Sequence, residues 1–220
     1  MGLREQQRAA LRARILEVCG RLFREHGFDP TTVTRIAREA GISRQTFFNH
    51  FASKEAVLTQ LGLAWLREQA AVPRLRTGRK RTESILAGTR RAVLAQMRAI
   101  AADAEFMRLV FTRSGVLFPQ SASPDGRLAA DQARPLFDNI ALVMQAARDR
   151  GEIRADIEPL QVAELYVSTM LMTARLWLVD YWRDGVALET RAARALDVLE
   201  AGLATAPDAR ETGSARDGGD

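Results

Sequence analysis

Thr32-Val-Thr-Arg-Ile-Ala-Arg-Glu-Ala-Gly-Ile-Ser-Arg-Gln-Thr-Phe-Phe-Asn-His-Phe51 contains two short helical patterns separated by a glycine. In the first, Val33, Ile36, Ala37 and Ala40 recur at the three- and four-residue spacing of one helix face. Gly41 follows, a residue type that adopts a positive φ without steric cost. Ile42 plugs the corner, and Ser43 is placed to accept from the free amides that open a second helix, which runs to about His50. Phe47 and Phe51, four apart, give this second helix an apolar back, while Ser43, Arg44, Gln45, Thr46, Asn49 and His50 give it a polar front. Ala37 is small where the two helices must cross. Two short helices locked by a tight turn, the second polar on its outer side, meet the needs of a helix-turn-helix that enters the major groove.

Upstream, Leu11, Ile15, Val18, Cys19, Leu22 and Phe23 form one apolar stripe on a helix expected over about 4–26. Gly27 supplies a left-handed stop, Asp29-Pro30 a turn, and Thr31 or Thr32 the cap of the helix that starts at Val33. Downstream, Ser53 caps again, and Glu55 sits in a first turn, where the helix dipole favours an anion. A long helix then runs to about Thr77, interrupted at Pro73. Further helices are expected at about 81–101, 104–117, 127–150, 159–182 and 187–205, with breaks at Pro119–Gly126 and Gly151–Pro159. No segment alternates apolar and polar residues long enough for a strand. The expected fold class is all-α, an N-terminal three-helix unit plus a C-terminal helical bundle, about nine helices in all.

Charge separates the two parts. Residues 1–54 carry ten Arg/Lys against five Asp/Glu, whereas residues 55–220 carry 22 of each, so the net +5 resides in the first quarter. A basic module on a neutral body is the electrostatic footprint of nucleic-acid binding, although a solvated helix face gives the same count. Cys19 is the sole cysteine, which excludes an internal disulfide and a Cys-based zinc site. A reducing, cytoplasmic setting is expected, with Cys19 a core thiol. His26 and His50 are too few and too far apart for a metal centre, so no metal site is assigned. The charged N-terminus is followed by no signal-peptide core, and the most apolar stretch, Val162–Val179, is interrupted by Glu164 and Arg175. It reads as a buried helix, and no membrane partner is expected. With no Ser-His-acid grouping, phosphate loop or metal-ligand cluster, an enzyme is not expected and no catalytic residue is assigned.

From Ile15 to Leu58 the chain resembles the tetracycline-repressor (TetR) family. The likeness lies in the apolar spacing, in the order Gly27-Phe28, Thr31-Thr32-Val33, Ile36-Ala37 and Ala40-Gly41-Ile42-Ser43, and in Thr46-Phe47-Phe48-Asn49-His50-Phe51-x-Ser53-Lys54-Glu55. The remainder matches in helix layout, including the Gly151-Glu-Ile-Arg-x-Asp-Ile-Glu-Pro159 break. The resemblance implies a ligand-responsive homodimeric repressor whose partner is a near-palindromic double-stranded DNA operator. It implies phosphate contacts for Thr32, Thr46, His50 and Lys54, and base-edge contacts for Thr34 and Arg44, with Gln45 beside them. Chemistry supports these roles, because helix starts favour anions, and Arg pairs naturally with guanine and Gln with adenine. Each residue also has a plainer reading: Thr32 and Ser43 as helix caps, His50 as a packed helix-end residue, Lys54 as a solvated lysine. The dipole at a helix start disfavours that lysine, which makes a phosphate partner more attractive. The family usually has Tyr where this chain has Phe48, and losing that hydroxyl's phosphate bond costs about 1 kcal/mol. An activator, or a module whose partner is another protein, fits the same residues.

The resemblance also implies a dimer through the last two helices, about 159–182 and 187–205. The first carries Leu165, Val167, Met170, Leu171, Ala174, Leu178 and Tyr181; the second carries Leu188, Ala192, Ala195, Leu196, Leu199 and Leu203. A helix apolar nearly all round must be covered on two sides, and a four-helix interface covers it. Trp65, Met97, Phe106, Met107, Phe111, Phe118, Phe137, Met144, Tyr166, Met170 and Trp177 either line a pocket for a small apolar or amphipathic effector or form ordinary core. Arg108, Arg113 and Arg175 lie near apolar stretches and suit an anionic or polar ligand end. No cofactor is expected. The expected domains are 1–54 for DNA binding, 55–206 for ligand binding and dimerisation, and 207–220 as a disordered tail.

Overall fold

The structure, a computed structural model, describes residues 2–70, 84–114 and 124–203. Among the described residues there are nine helices and no strand: α1 (Leu3–His26), α2 (Val33–Glu39), α3 (Arg44–His50), α4 (Lys54–Ala70), α5 (Ile85–Ala102), α6 (Ala104–Arg113), α7 (Pro124–Asp149), α8 (Pro159–Leu178) and α9 (Leu188–Leu203). The expectations for Phe118, Pro73 and the tail from residue 207 lie outside the described residues.

Local chemistry fixes the first helix boundaries. Of the two candidate caps for α2, Thr32 does the work, its Oγ1 accepting from the Arg35 amide at 3.2 Å. Thr31 is buried instead, and its hydroxyl donates to the Gly27 carbonyl at 2.6 Å. Gly27 has φ 79° and ψ 165°, a positive-φ region outside the left-handed helix and essentially restricted to glycine. α8 stops at Leu178 rather than near residue 182. The Asp180 amide turns back to the Trp177 carbonyl and the Tyr181 amide to the Leu176 carbonyl, while Asp180 and Arg183 adopt φ of 52° and 53°. Tyr181, expected on the apolar helix face, is consequently exposed in the loop.

α1, α2 and α3 form the head, with Ile15, Cys19, Leu22, Ile36, Phe47 and Phe51 buried between them. In the body α7 packs along α8 and α4, α9 packs against α5 and α8, and α6 sits between α4 and α8. One cluster of buried side chains runs from Ile15 and Phe47 through Val57 and Leu58 to Met144, Tyr166 and Leu203. The boundary expected after residue 54 therefore crosses a continuous core. No helix among the described residues is long and apolar enough to cross a membrane.

Candidate nucleic-acid interface and apolar cavity

The corner between α2 and α3 is closed by the Ile42 amide, which donates to the Ala37 carbonyl at 2.9 Å. Gly41 takes φ 65° there, and a Cβ at this position would lie 3.4 Å from Arg14 Nη2. Ser43 caps α3, accepting from the Thr46 amide at 3.0 Å and pairing with the Thr46 hydroxyl at 2.8 Å. Phe47 is fully buried beneath the helix and Phe51 nearly so. The opposite side carries Ser43, Arg44, Gln45, Phe48 and Asn49, all exposed, with Thr46 and His50 half-buried beside them. Thr32 and Thr34, at the start of α2, are exposed as well. Gln45 Nε2 donates to Asn49 Oδ1 at 3.1 Å, so two of the front's amides already brace one another. Phe48 rests edge-on against Phe47, ring centroids 5.5 Å apart, with 44% of its surface exposed.

Two cationic side chains position this front from behind. Arg12 donates from Nη1 to the His50 carbonyl at 2.8 Å and stacks over the Phe51 ring at 4.2 Å, which fastens the end of α3 to α1. Sequence reasoning missed Arg12, because nothing local links it to a residue 38 positions away. Lys54, expected at a phosphate, directs Nζ at the carbonyls of Phe28, Asp29 and Thr31, at 2.8, 3.1 and 3.3 Å. It also lies over the Phe28 ring at 4.4 Å. Carbonyls of the preceding loop thus balance a cation that the start of α4 would otherwise disfavour. His50 Nδ1 is buried with no partner among the described residues. Burial pushes the Cys19 thiol up to about 12, which keeps it protonated and unreactive.

The body holds an apolar pocket that is partly open to solvent and leaves about 60 Å³ of interior cavity. Five of the expected residues meet in its wall: Trp65, Met97, Phe111, Tyr166 and Met170. Phe106, Met107 and Met144 are buried elsewhere in the core, and Phe137 is half-buried in a small cluster beside Leu136 and Val167. Trp177 uses its indole N–H to hold the Val186 carbonyl at 2.9 Å. The wall is completed by residues without a distinctive sequence signal, among them Val93, Ile100, Ile140 and Leu171. Its polar members are few. Thr89 donates to the Ile85 carbonyl, and the Tyr166 hydroxyl donates to Glu200 Oε1 at 3.1 Å. Glu200 in turn pairs with Arg90 at 3.0 Å. Arg108 and Arg175, expected near a ligand's polar end, reach the carbonyls of Leu178 and Phe111.

α6 joins the cavity to the head. Phe111 lines the cavity and meets Trp65 edge-on at 5.5 Å. At the start of α6, Asp103 pairs with Arg24 of α1 at 2.8 Å; at its end, Arg113 pairs with Asp29 of the α1–α2 loop at 2.7 Å. The Arg24 guanidinium also stacks on Phe106 at 3.8 Å.

A head of this geometry on an all-helical body defines a helix-turn-helix DNA-binding protein. The family model for bacterial regulatory proteins of the tetR family matches residues 15–61. The transcriptional repressor AcnR of Corynebacterium diphtheriae is 30% identical over 161 residues, covering 73% of this chain and 76% of the relative. AcnR of Corynebacterium efficiens is 29% identical, over 73% of this chain and 77% of its own. Among solved structures, Thermus thermophilus FadR, a TetR-family repressor in complex with lauroyl-CoA, superposes with a TM-score of 0.68. The two share 28% identity over 89% of this chain and 96% of FadR. The chain belongs to the TetR family of bacterial transcriptional regulators.

Proposed function

We propose that this regulator is a homodimeric repressor that reads a near-palindromic operator with two copies of α3 and leaves it when an apolar or amphipathic effector enters the cavity. The observation that carries the DNA half is the polar front of α3 standing over fully buried Phe47. Arg44, Gln45 and Thr34 address base edges, and Thr32, Thr46 and His50 address phosphates, with Lys54 holding the loop behind them. Residues up to 54 act as the reading head, and residues from 55 as the sensing and pairing body.

Leu165 and Met172 on α8 and Val179 just past its end, spaced by seven residues, are exposed, as is Val198 on α9. That spacing puts a continuous apolar strip on one side of the α8–α9 pair, which a second copy would cover. Two-fold symmetry would then set the reading helices about 34 Å apart, or a multiple of that distance. The effector reading rests on a mostly aliphatic and aromatic wall with few polar groups, which suits an apolar chain better than a compact polar metabolite. Lauroyl-CoA, seen in Thermus thermophilus FadR, is a reasonable first probe.

Binding of the full chain to DNA upstream of its own gene, compared with a scrambled duplex, tests the reading. Arg44→Ala is expected to erase about 1–3 kcal/mol of the preference for the promoter duplex. Binding that is absent or insensitive to salt counts against it, since phosphate contacts must release counterions.

A further inference from the structure

We infer that Arg4 and Arg8 form a second DNA contact, gripping backbone phosphates beside the base pairs that α3 reads; this rests on the DNA-binding reading above. From Gly2 to Ala10 every residue is exposed, so α1 continues for about two turns beyond the last of its buried stripe. At 100° per residue, Arg4 and Arg8 fall on the same side of the helix as Leu11 and Ile15, which face the head's core. The overhang thus presents arginines on the inward side, where no other described residue covers them.

Arg12 and Arg14 show what that side lies next to. Arg12 is tied to the His50 carbonyl at the end of α3, and Arg14 comes against Gly41 in the turn that precedes α3. The inward side of α1, flanked by these two arginines, therefore lies near both ends of the reading helix. Arg4 and Arg8 have no hydrogen-bond or ion-pair partner among the described residues; the one acid of this stretch, Glu5, lies about 100° from Arg4 and about 60° from Arg8 around the helix and pairs with neither. Two helical turns that bury nothing are marginal by themselves. A duplex alongside α3 supplies the complementary charge, a row of phosphates continuous with those that Thr46 and His50 would meet.

The test compares the full chain with its Arg4→Ala/Arg8→Ala variant, titrated onto the promoter duplex and onto a scrambled duplex at several salt concentrations. The slope of log K against log salt is expected to fall by about 0.9 for each phosphate released, about 1.8 per subunit, alike on both duplexes. The melting temperature stays unchanged, because both side chains are exposed and unpaired among the described residues. Arg4→Lys/Arg8→Lys keeps the slope, since a point charge suffices for phosphate. An unchanged slope in the alanine variant overturns this contact while leaving the role of α3 intact. Salt-insensitive binding by the unaltered chain overturns both.

Discussion

Lys54 shows how one residue's surroundings decide its job. Its ammonium group has three N–H donors, and three carbonyls of the loop joining α1 to α2 lie within hydrogen-bonding distance of it. Those carbonyls belong to the loop that leads from α1 into α2, so Lys54 acts as a brace for the surface that α2 and α3 present. Lys54→Met keeps much of the aliphatic stem over Phe28 but leaves the three oxygens without their charged donor. The expected result is a loss of about 1–2 kcal/mol of stability, read as a lower melting temperature. The salt slope of DNA binding stays the same, because all the donors of this lysine face inward. Had its ammonium reached a phosphate, the slope would drop by about 0.9.

Among the helices, α3 was the most legible in the sequence, because everything that defines it is local. Ser43 caps it, Gly41 turns the chain into it, and Phe47 and Phe51 lie four apart on its buried side. The end of α8 was not legible: apolar periodicity runs on through Tyr181 and Trp182, while the stop is made by two non-glycine residues at positive φ. The cavity wall was half legible. Aromatic and methionine residues stood out, but Val93, Ile140 and Leu171 look like any core aliphatic until folding brings them together. The start of α5 depends on a residue far along the chain. Glu152, in the α7–α8 loop, accepts from the Ile85 and Leu86 amides, each at 3.0 Å, and from the Ser84 hydroxyl at 2.7 Å. Burial alone would push this carboxyl up, but those three donors and the nearby Arg150 charge outweigh it and hold its pKa below the ordinary 4.5. A carboxylate with a depressed pKa stabilises the fold above its ordinary value and loses that contribution as pH falls through the depressed one. Glu152→Gln is therefore expected to lower stability by about 1 kcal/mol at neutral pH. Thermal melts of the two proteins should differ by a constant amount above the ordinary carboxyl value and converge as the solution is made more acidic.

Across the whole molecule, α6 is a physical link between the cavity and the head. One residue of this helix, Phe111, lies in the cavity wall, and both of its ends are ion-paired to the head. Either pair alone is exposed and contributes little to stability. Their placement matters more than their strength, because they bind α6 to α1 at one point and to the α1–α2 loop at another. On the proposed effector reading, displacement of Phe111 or Trp65 is expected to shift α6, and the two pairs to carry that shift to α1 and the α1–α2 loop. An effector changes a partner's affinity only through contacts that differ between two states, commonly by about 5–150-fold. The Arg24→Ala/Arg113→Ala variant removes the ties and leaves the cavity wall untouched. DNA binding measured with and without lauroyl-CoA should show the ratio of the two affinities falling towards one, while lauroyl-CoA itself binds the variant as tightly as the unaltered chain. A ratio that survives the double substitution would route the response through α4, which lines the cavity at Trp65 and packs directly on α1.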